Sequence, residues 1–128
     1  MRFLEMHIEV ADLKASLEFY KKLLPSVKQV DWTDGKATAL VLPDGTAFGL
    51  WLKGKKGLHD GRGADHLHFA FQIDPSEYDV YLEKLKSLAV EVIEHVWPDG
   101  HRSLYFFDPD GHQGEFMTKD WLGQTSES

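Results

Sequence analysis

The sequence predicts an α+β fold made of one unit used twice: a strand, a helix and three further strands. Three observations carry that reading. Two stretches alternate apolar and polar residues over the length of a strand, "FLEMHIEV" at 3–10 and "HLHFAFQI" at 66–73. Each is followed by a helix-starting aspartate, Asp12 and Asp74, and these lie 62 positions apart. Each half then ends in two strands joined by "PDG", at 43–45 and 109–111, 66 positions apart.

The elements follow in order. The first strand puts Leu4, Met6, Ile8 and Val10 on one face and Glu5, His7 and Glu9 on the other. Asp12 caps a helix with a stripe of Leu13, Leu17, Tyr20 and Leu24, and Pro25 stops it. Strands are expected near 27–32, 37–42 and 47–52, completing a module over about 3–52. The glycine-rich, charged segment 53–64 reads as a linker. The second module, about 65–118, opens with the strand 66–73, with Leu67, Phe69, Phe71 and Ile73 opposite His66, His68, Ala70 and Gln72. Asp74, Pro75 and Glu77 form the start of a helix with a capping box and a stripe of Tyr78, Leu82 and Leu85. Strands near 90–96, 102–107 and 113–118 complete a single domain over 1–122, and 123–128 reads as a flexible tail. With a helix on the apolar face of each sheet, the two polar faces would line a cup if the sheets curl toward one another.

Composition narrows the function classes. The 128 residues suffice for one buried core without staples. There is no cysteine, which rules out a disulfide framework, a thiolate ligand and a thiol nucleophile. No apolar run reaches membrane-spanning length and the N-terminus lacks a signal-peptide pattern, so a cytoplasmic protein without membrane association is expected. A net charge of −7 repels nucleic acid. Seven histidines in so short a chain need an account. His66 and His68 share a strand face where Lys, Glu or Thr would be ordinary.

The phrases "VADLKASLEFYKKLL" at 10–24, "HFAF" at 68–71 and "SLYFFDPDGHQGEF" at 103–116, in this order, resemble the vicinal oxygen chelate superfamily. That superfamily includes glyoxalase I, extradiol dioxygenases, fosfomycin-resistance transferases, methylmalonyl-CoA epimerase and bleomycin-binding proteins. The resemblance covers about residues 3–118 and implies paired βαβββ modules, a cup-like mixed sheet with outer helices, and one divalent ion (Fe, Mn, Ni or Zn) at its bottom. It also implies ligands from the first and last strand of each module. The histidine of the "H-x-A-F" motif is His68, and the glutamate four residues after the second PDG turn is Glu115. In the first module the position seven residues before the capping aspartate is Glu5, with His7 two residues on along the same face. The fourth position falls on Gly49, which has no side chain to coordinate with and opens room near the ion.

Imidazole and carboxylate are suitable ligands for such ions, at roughly 2.0–2.2 Å for zinc. His7, His68 and Glu115 would make a two-histidine, one-carboxylate triad of the kind found in non-haem iron oxygenases. Glu5, His68 and Glu115 would make a carboxylate-rich site with a base. His66 would then be a rim partner of His68. Tyr105 alternates with Leu104 and Phe106 and points to the polar face, where its phenol either donates to a substrate oxyanion or is an ordinary strand tyrosine. Ser103 and His101 share its face. His101 suits either a proton shuttle or an exposed strand end. Trp51 shares the Gly49 face and either stacks on a flat substrate or fills space. Lys53, Lys55, Lys56 and Arg62 either guide an anionic substrate or belong to a solvated linker. His59, His95 and His112 carry no assignment.

The resemblance therefore implies a divalent-metal-dependent enzyme whose small-molecule substrate chelates the ion through adjacent oxygens, either a glyoxalase-like lyase or isomerase or a ring-cleaving dioxygenase. The alternative is a metal-free antibiotic-sequestering protein of the bleomycin-resistance type, which four tryptophans and the acidic charge would suit. A homodimer is expected in either case.

Overall fold

The computed structural model describes residues 2–54 and 67–120. Lys55, Lys56, His59, Arg62, His66, most of the expected linker and the tail 123–128 lie outside the described residues. The elements run β1 (Glu5–Val10), α1 (Leu13–Leu23), β2 (Lys28–Trp32), β3 (Ala37–Val41), β4 (Ala47–Leu52), β5 (His68–Gln72), α2 (Tyr78–Ser87), β6 (Val92–Val96), β7 (Arg102–Phe107) and β8 (Gln113–Met117). They belong to two compact units, 1–65 and 66–128. One unit holds a four-stranded sheet ordered β1-β4-β3-β2 and the other a four-stranded sheet ordered β5-β8-β7-β6. In each, the first strand pairs parallel to the last and the remaining pairs are antiparallel. The βαβββ repeat and the mixed sheets are those expected.

A parallel first–last pair needs a crossover, which the helix and the two middle strands supply. The tight reversals come from the PDG turns. Gly45 and Gly111 sit at φ 89° and 86°. Gly45 N–H closes on the Leu42 carbonyl and Gly111 N–H on the Asp108 carbonyl, each at 2.9 Å. A left-handed residue favours glycine at that place in both modules.

Asp12 caps α1, its carboxylate accepting from the Ala15 N–H at 3.0 Å, while Lys21 and Lys22 complement the dipole in the last turn. Of the expected stripe Tyr20 and Leu24 are buried and Leu13 and Leu17 only half so, while Ser16, Phe19 and Leu23 are buried beside them. Turning the Phe19 ring inward buries more apolar surface than turning a leucine inward, and Tyr20 packs on Phe48 with centroids 4.7 Å apart. The start of α2 is a short 3-10 turn over Pro75–Glu77, with the Asp74 N–H bonded to Glu77 Oε1 at 2.9 Å. Its buried stripe is Tyr78, Tyr81 and Leu85, so Tyr81 takes the place expected of Leu82. Tyr81 packs on Phe116 at 4.4 Å.

One core is built of Ile8, Val10, Tyr20, Leu40, Phe48 and Leu50, the other of Phe69, Tyr78, Leu85, Leu104, Phe106 and Phe116. Each such side chain contributes about 1.5–3 kcal/mol by burial. Among the described residues no helix is long and apolar enough to cross a membrane.

Candidate functional site

With the even-numbered residues of β1 in the core, Glu5, His7 and Glu9 take the opposite face. His7 stands directly across from Gly49 on the parallel strand β4. Its imidazole occupies the space that a side chain at 49 would need: a Cβ built there would lie 2.0 Å from His7 Nδ1. Two further groups hold the ring. The Trp51 indole N–H donates to His7 Nδ1 at 3.0 Å, and the edge of Trp32 meets it with centroids 5.8 Å apart. Indole is a donor only, so Nδ1 carries the lone pair and the neutral ring has its proton on Nε2. Nε2 lies 3.2 Å from Glu5 Oε1. Glu5 and His7 therefore touch one another, with Glu5 the more exposed at 56 % against 28 % for His7. Trp51, considered above as a stacking surface, is a hydrogen-bond donor to His7.

In the second module His68 on β5 is exposed. Its cross-strand neighbour is Gln113, and the next site-face pair is Ala70 with Glu115. His68 and Glu115 thus share one face, one alternate pair apart. Glu115 is only 5 % exposed. Ser103 Oγ donates to Glu115 Oε2 at 2.7 Å and accepts from the Trp97 indole at 2.8 Å. Tyr105 stands opposite Glu115 in the β7–β8 register. Burial, then the charge of Glu115 and a hydrogen bond to it, push the Tyr105 phenol above its ordinary range, with Ser103 opposing.

Ser103 and Trp97 were not assigned roles from the sequence, although the odd-residue alternation 103, 105 already placed Ser103 on the site face. His101 departs from the exposed strand end considered above: its side chain is only 14 % exposed. It stacks on Trp97 with centroids 5.7 Å apart, and its Nδ1 is bonded to Asp99. Hydrogen bonds from Lys119 and from His101 hold the Asp99 carboxyl well below the usual carboxylate range. Among the described residues, His101 Nε2 is the buried side-chain polar atom that has no hydrogen-bond partner.

His112, left unassigned above, belongs to a cluster with Asp108 and Asp110 whose donor atoms all lie within 4.8 Å of one another. Its geometry is that of a turn staple. Asp108 Oδ1 accepts from the backbone N–H groups of Asp110 and His112 at 2.9 Å each, and Oδ2 meets His112 Nδ1 at 2.9 Å. The spacing D-x-D-x-H around a turn glycine was the signal for it. It shapes the turn that delivers Glu115.

A duplicated βαβββ chain of this topology, with histidine and carboxylate on matched strand faces, defines a protein of the vicinal oxygen chelate class. The chain belongs to the Glyoxalase/Bleomycin resistance protein/Dioxygenase superfamily, whose family model matches residues 2–116. It is 33 % identical over 118 residues to a metallothiol transferase FosB of Staphylococcus saprophyticus, covering 85 % of this chain and 71 % of that protein. Its fold is similar to that of a point mutant of the fosfomycin resistance protein FosX from Listeria monocytogenes, complexed with Mn(II) and 1S,2S-dihydroxypropylphosphonic acid. The TM-score is 0.75 at 23 % identity, covering 94 % of this chain and 91 % of that one. It is likewise similar to a lactoylglutathione lyase from Agrobacterium tumefaciens, with a TM-score of 0.71 at 23 % identity and coverage of 91 % and 92 %.

Proposed function

We propose that this chain is a divalent-metal-dependent enzyme that opens the strained ring of a small phosphonate of the fosfomycin type with a thiol or water as nucleophile. One observation carries the metal-dependent part of the reading. Glu115 is 5 % exposed, yet among the described residues its hydrogen bonds come from the neutral Ser103 hydroxyl and Tyr105 phenol. A buried carboxylate held only by neutral donors is costly, and a divalent cation at its remaining lone pairs relieves that cost. The donor set of imidazole nitrogen and carboxylate oxygen suits first-row divalent ions. His7, His68 and Glu115 would hold the ion, with Glu5 beside His7. When bound it would act as a Lewis acid toward the substrate's oxygens.

The chain's own residues support the rest. Ser103 holds the Glu115 carboxylate in one orientation. Tyr105, a neutral phenol at pH 7 like any tyrosine, stands opposite Glu115 and would turn its one O–H from that carboxylate to the oxygen released when the ring opens. In the ring without an ion, Glu5 Oε1 lies 3.2 Å from His7 Nε2 and is placed to accept its hydrogen bond. Kinship with a metallothiol transferase favours this chemistry over ring-cleaving dioxygenation or glyoxalase-type isomerisation. We further propose that the chain forms a cytoplasmic homodimer. Exposed apolar residues such as Phe3, Ile93 and Val96 supply surface for association; a monomer by light scattering at micromolar concentration removes the dimer.

A second reading, sequestration of an antibiotic without metal, is favoured by the Trp32–Trp51 pair, 5.5 Å apart on the site face. Metal analysis of protein purified without added metal separates the two. About one ion per chain, together with Mn(II)-dependent consumption of fosfomycin in the presence of a thiol or of water alone, supports the enzyme. Binding of drug without metal and without turnover supports the sequestering protein.

A further inference from the structure

We infer that Gly49 is a positioning residue that decides which strand of the first module serves the cation site: β1 through His7, in the space that a side chain on β4 would otherwise fill. The inference rests on the reading of His7, His68 and Glu115 as ligands. Its foundation is the register of the two parallel strand pairs. Gly49 and Glu115 each stand four residues after their turn glycine, Gly45 and Gly111, so they are equivalent positions. Opposite Glu115 stands Ala70, and opposite Gly49 stands His7. Each cross-strand pair thus joins one polar side chain to one residue too small to obstruct it, with the polar member on the last strand in one module and on the first strand in the other.

The space at Gly49 admits one occupant. A Cβ there would meet His7 Nδ1 at 2.0 Å, Cε1 at 2.4 Å and Cγ at 2.8 Å. The last of these is the root of the ring, so bending its far end does not relieve the contact; the whole imidazole must leave. His7 would then lose the Trp51 bond as well as its place. A first module carrying a side chain at 49 and a seated His7 together is excluded by volume. The glycine that removes one ligand from the family pattern is what admits another.

The test compares G49A, H7A, H7A/G49A and H7A/G49E with the parent chain. In metal-free protein, G49A is expected to shift the Trp51 indole proton resonance and to lower Tm by about 5 °C, as an overpacked contact does. H7A/G49A is expected to melt no lower than H7A, because removing the ring removes the clash. In Mn(II) titrations, G49A and H7A each lose at least tenfold in affinity. H7A/G49E, which rebuilds in the first module the small–glutamate pair of the second, recovers to within about tenfold of the parent. An unmoved Trp51 resonance, Tm losses that simply add in H7A/G49A, or parental Mn(II) affinity in G49A beside a loss in H7A each overturn the inference while leaving His7 a ligand. Parental Mn(II) affinity in H7A removes the ligand reading itself and the choice of strand with it.

Discussion

The two modules share a topology and treat their polar faces differently. Each runs a relay from an indole N–H through an amphoteric group to a carboxylate: Trp51 to His7 to Glu5 in the first, Trp97 to Ser103 to Glu115 in the second. In the first the carboxylate is 56 % exposed and the middle group is itself a candidate ligand. In the second the carboxylate is buried and the middle group is a hydroxyl that can only support it. The last strands show the same divergence. β4 reads Phe48–Gly49 where β8 reads Gly114–Glu115, so the glycine has moved by one residue and changed face. Gly49 admits His7 on the polar face, whereas Gly114 admits Phe106 to the core, where a Cβ would lie 2.2 Å from the Phe106 ring. A duplicated fold thus places its small residue where a large neighbour must pass, and the neighbour decides whether that place serves packing or chemistry.

If the second module supplies the firmer half of the site, Glu115→Ala has the largest effect: no stoichiometric Mn(II) or Zn(II) remains by elemental analysis. His68→Ala should do the same, since losing a ligand leaves an open, poorly held ion. Retention of one ion per chain by both variants would falsify the site assignment. Within the first module, His7→Ala is expected to cost at least tenfold in metal affinity, and Glu5→Gln less than about threefold, because an exposed side chain gains little from a fixed geometry. Measured side by side, a reversed order would make Glu5 the ligand and His7 its orienting partner.

Ser103→Ala comes next. It leaves the half-buried Trp97 N–H and one oxygen of the buried Glu115 without that partner, so a stability loss of about 1–3 kcal/mol in urea unfolding is expected. A loss of roughly tenfold in metal affinity should accompany it. A stability loss without any change in metal binding would make the second relay structural only. Trp51→Phe should cost about 1 kcal/mol of stability for the lost hydrogen bond. The same change frees His7 Nδ1 to carry the proton, which ligation through Nε2 requires, so metal affinity should stay equal or rise. A clear fall in affinity would mean that Trp51 holds the ring in place for the ion instead of competing with it.

The smallest effect is a pH effect confined to the second module, where Tyr78 donates to Glu94 Oε1 at 2.7 Å. Burial first, then the Glu94 bond, push the Tyr78 phenol up to about 12. A folded pKa above the ordinary value near 10 stabilises the protein fully below pH 10 and loses that contribution between about 10 and 12. Stability at alkaline pH should therefore fall less steeply in Tyr78→Phe than in the parent, measured by unfolding at fixed pH with tyrosinate absorbance followed alongside. Identical pH profiles would mean that Tyr78 titrates normally.

Much of this was legible in the chain. Alternation over 3–10 and around 68–72 assigned the polar faces of β1 and β5, because a period of two is a local property of an extended backbone. Asp12, Asp74 and the two PDG turns marked the duplication through capping and φ preferences that neighbouring residues suffice to set. Helix facing was less legible. Leucines and aromatics at three- and four-residue spacing are compatible with more than one stripe on α1 and α2; Tyr20 was legible, but the burial of Phe19 and of Tyr81, which packs on Phe116, was not.

By itself the sequence determined the βαβββ repeat, the strand faces and the residue types available for a cation, since all of these follow from local periodicity and composition. The tertiary structure decided which groups touch. That the imidazole of His7 fills the space over Gly49 and accepts from Trp51, that Trp97 reaches Glu115 through Ser103, and that Asp108 staples the turn before it depend on strand register and on atoms brought together from positions up to 44 apart. No local preference encodes those distances; they arise when the strands pair and only one side chain fits each space.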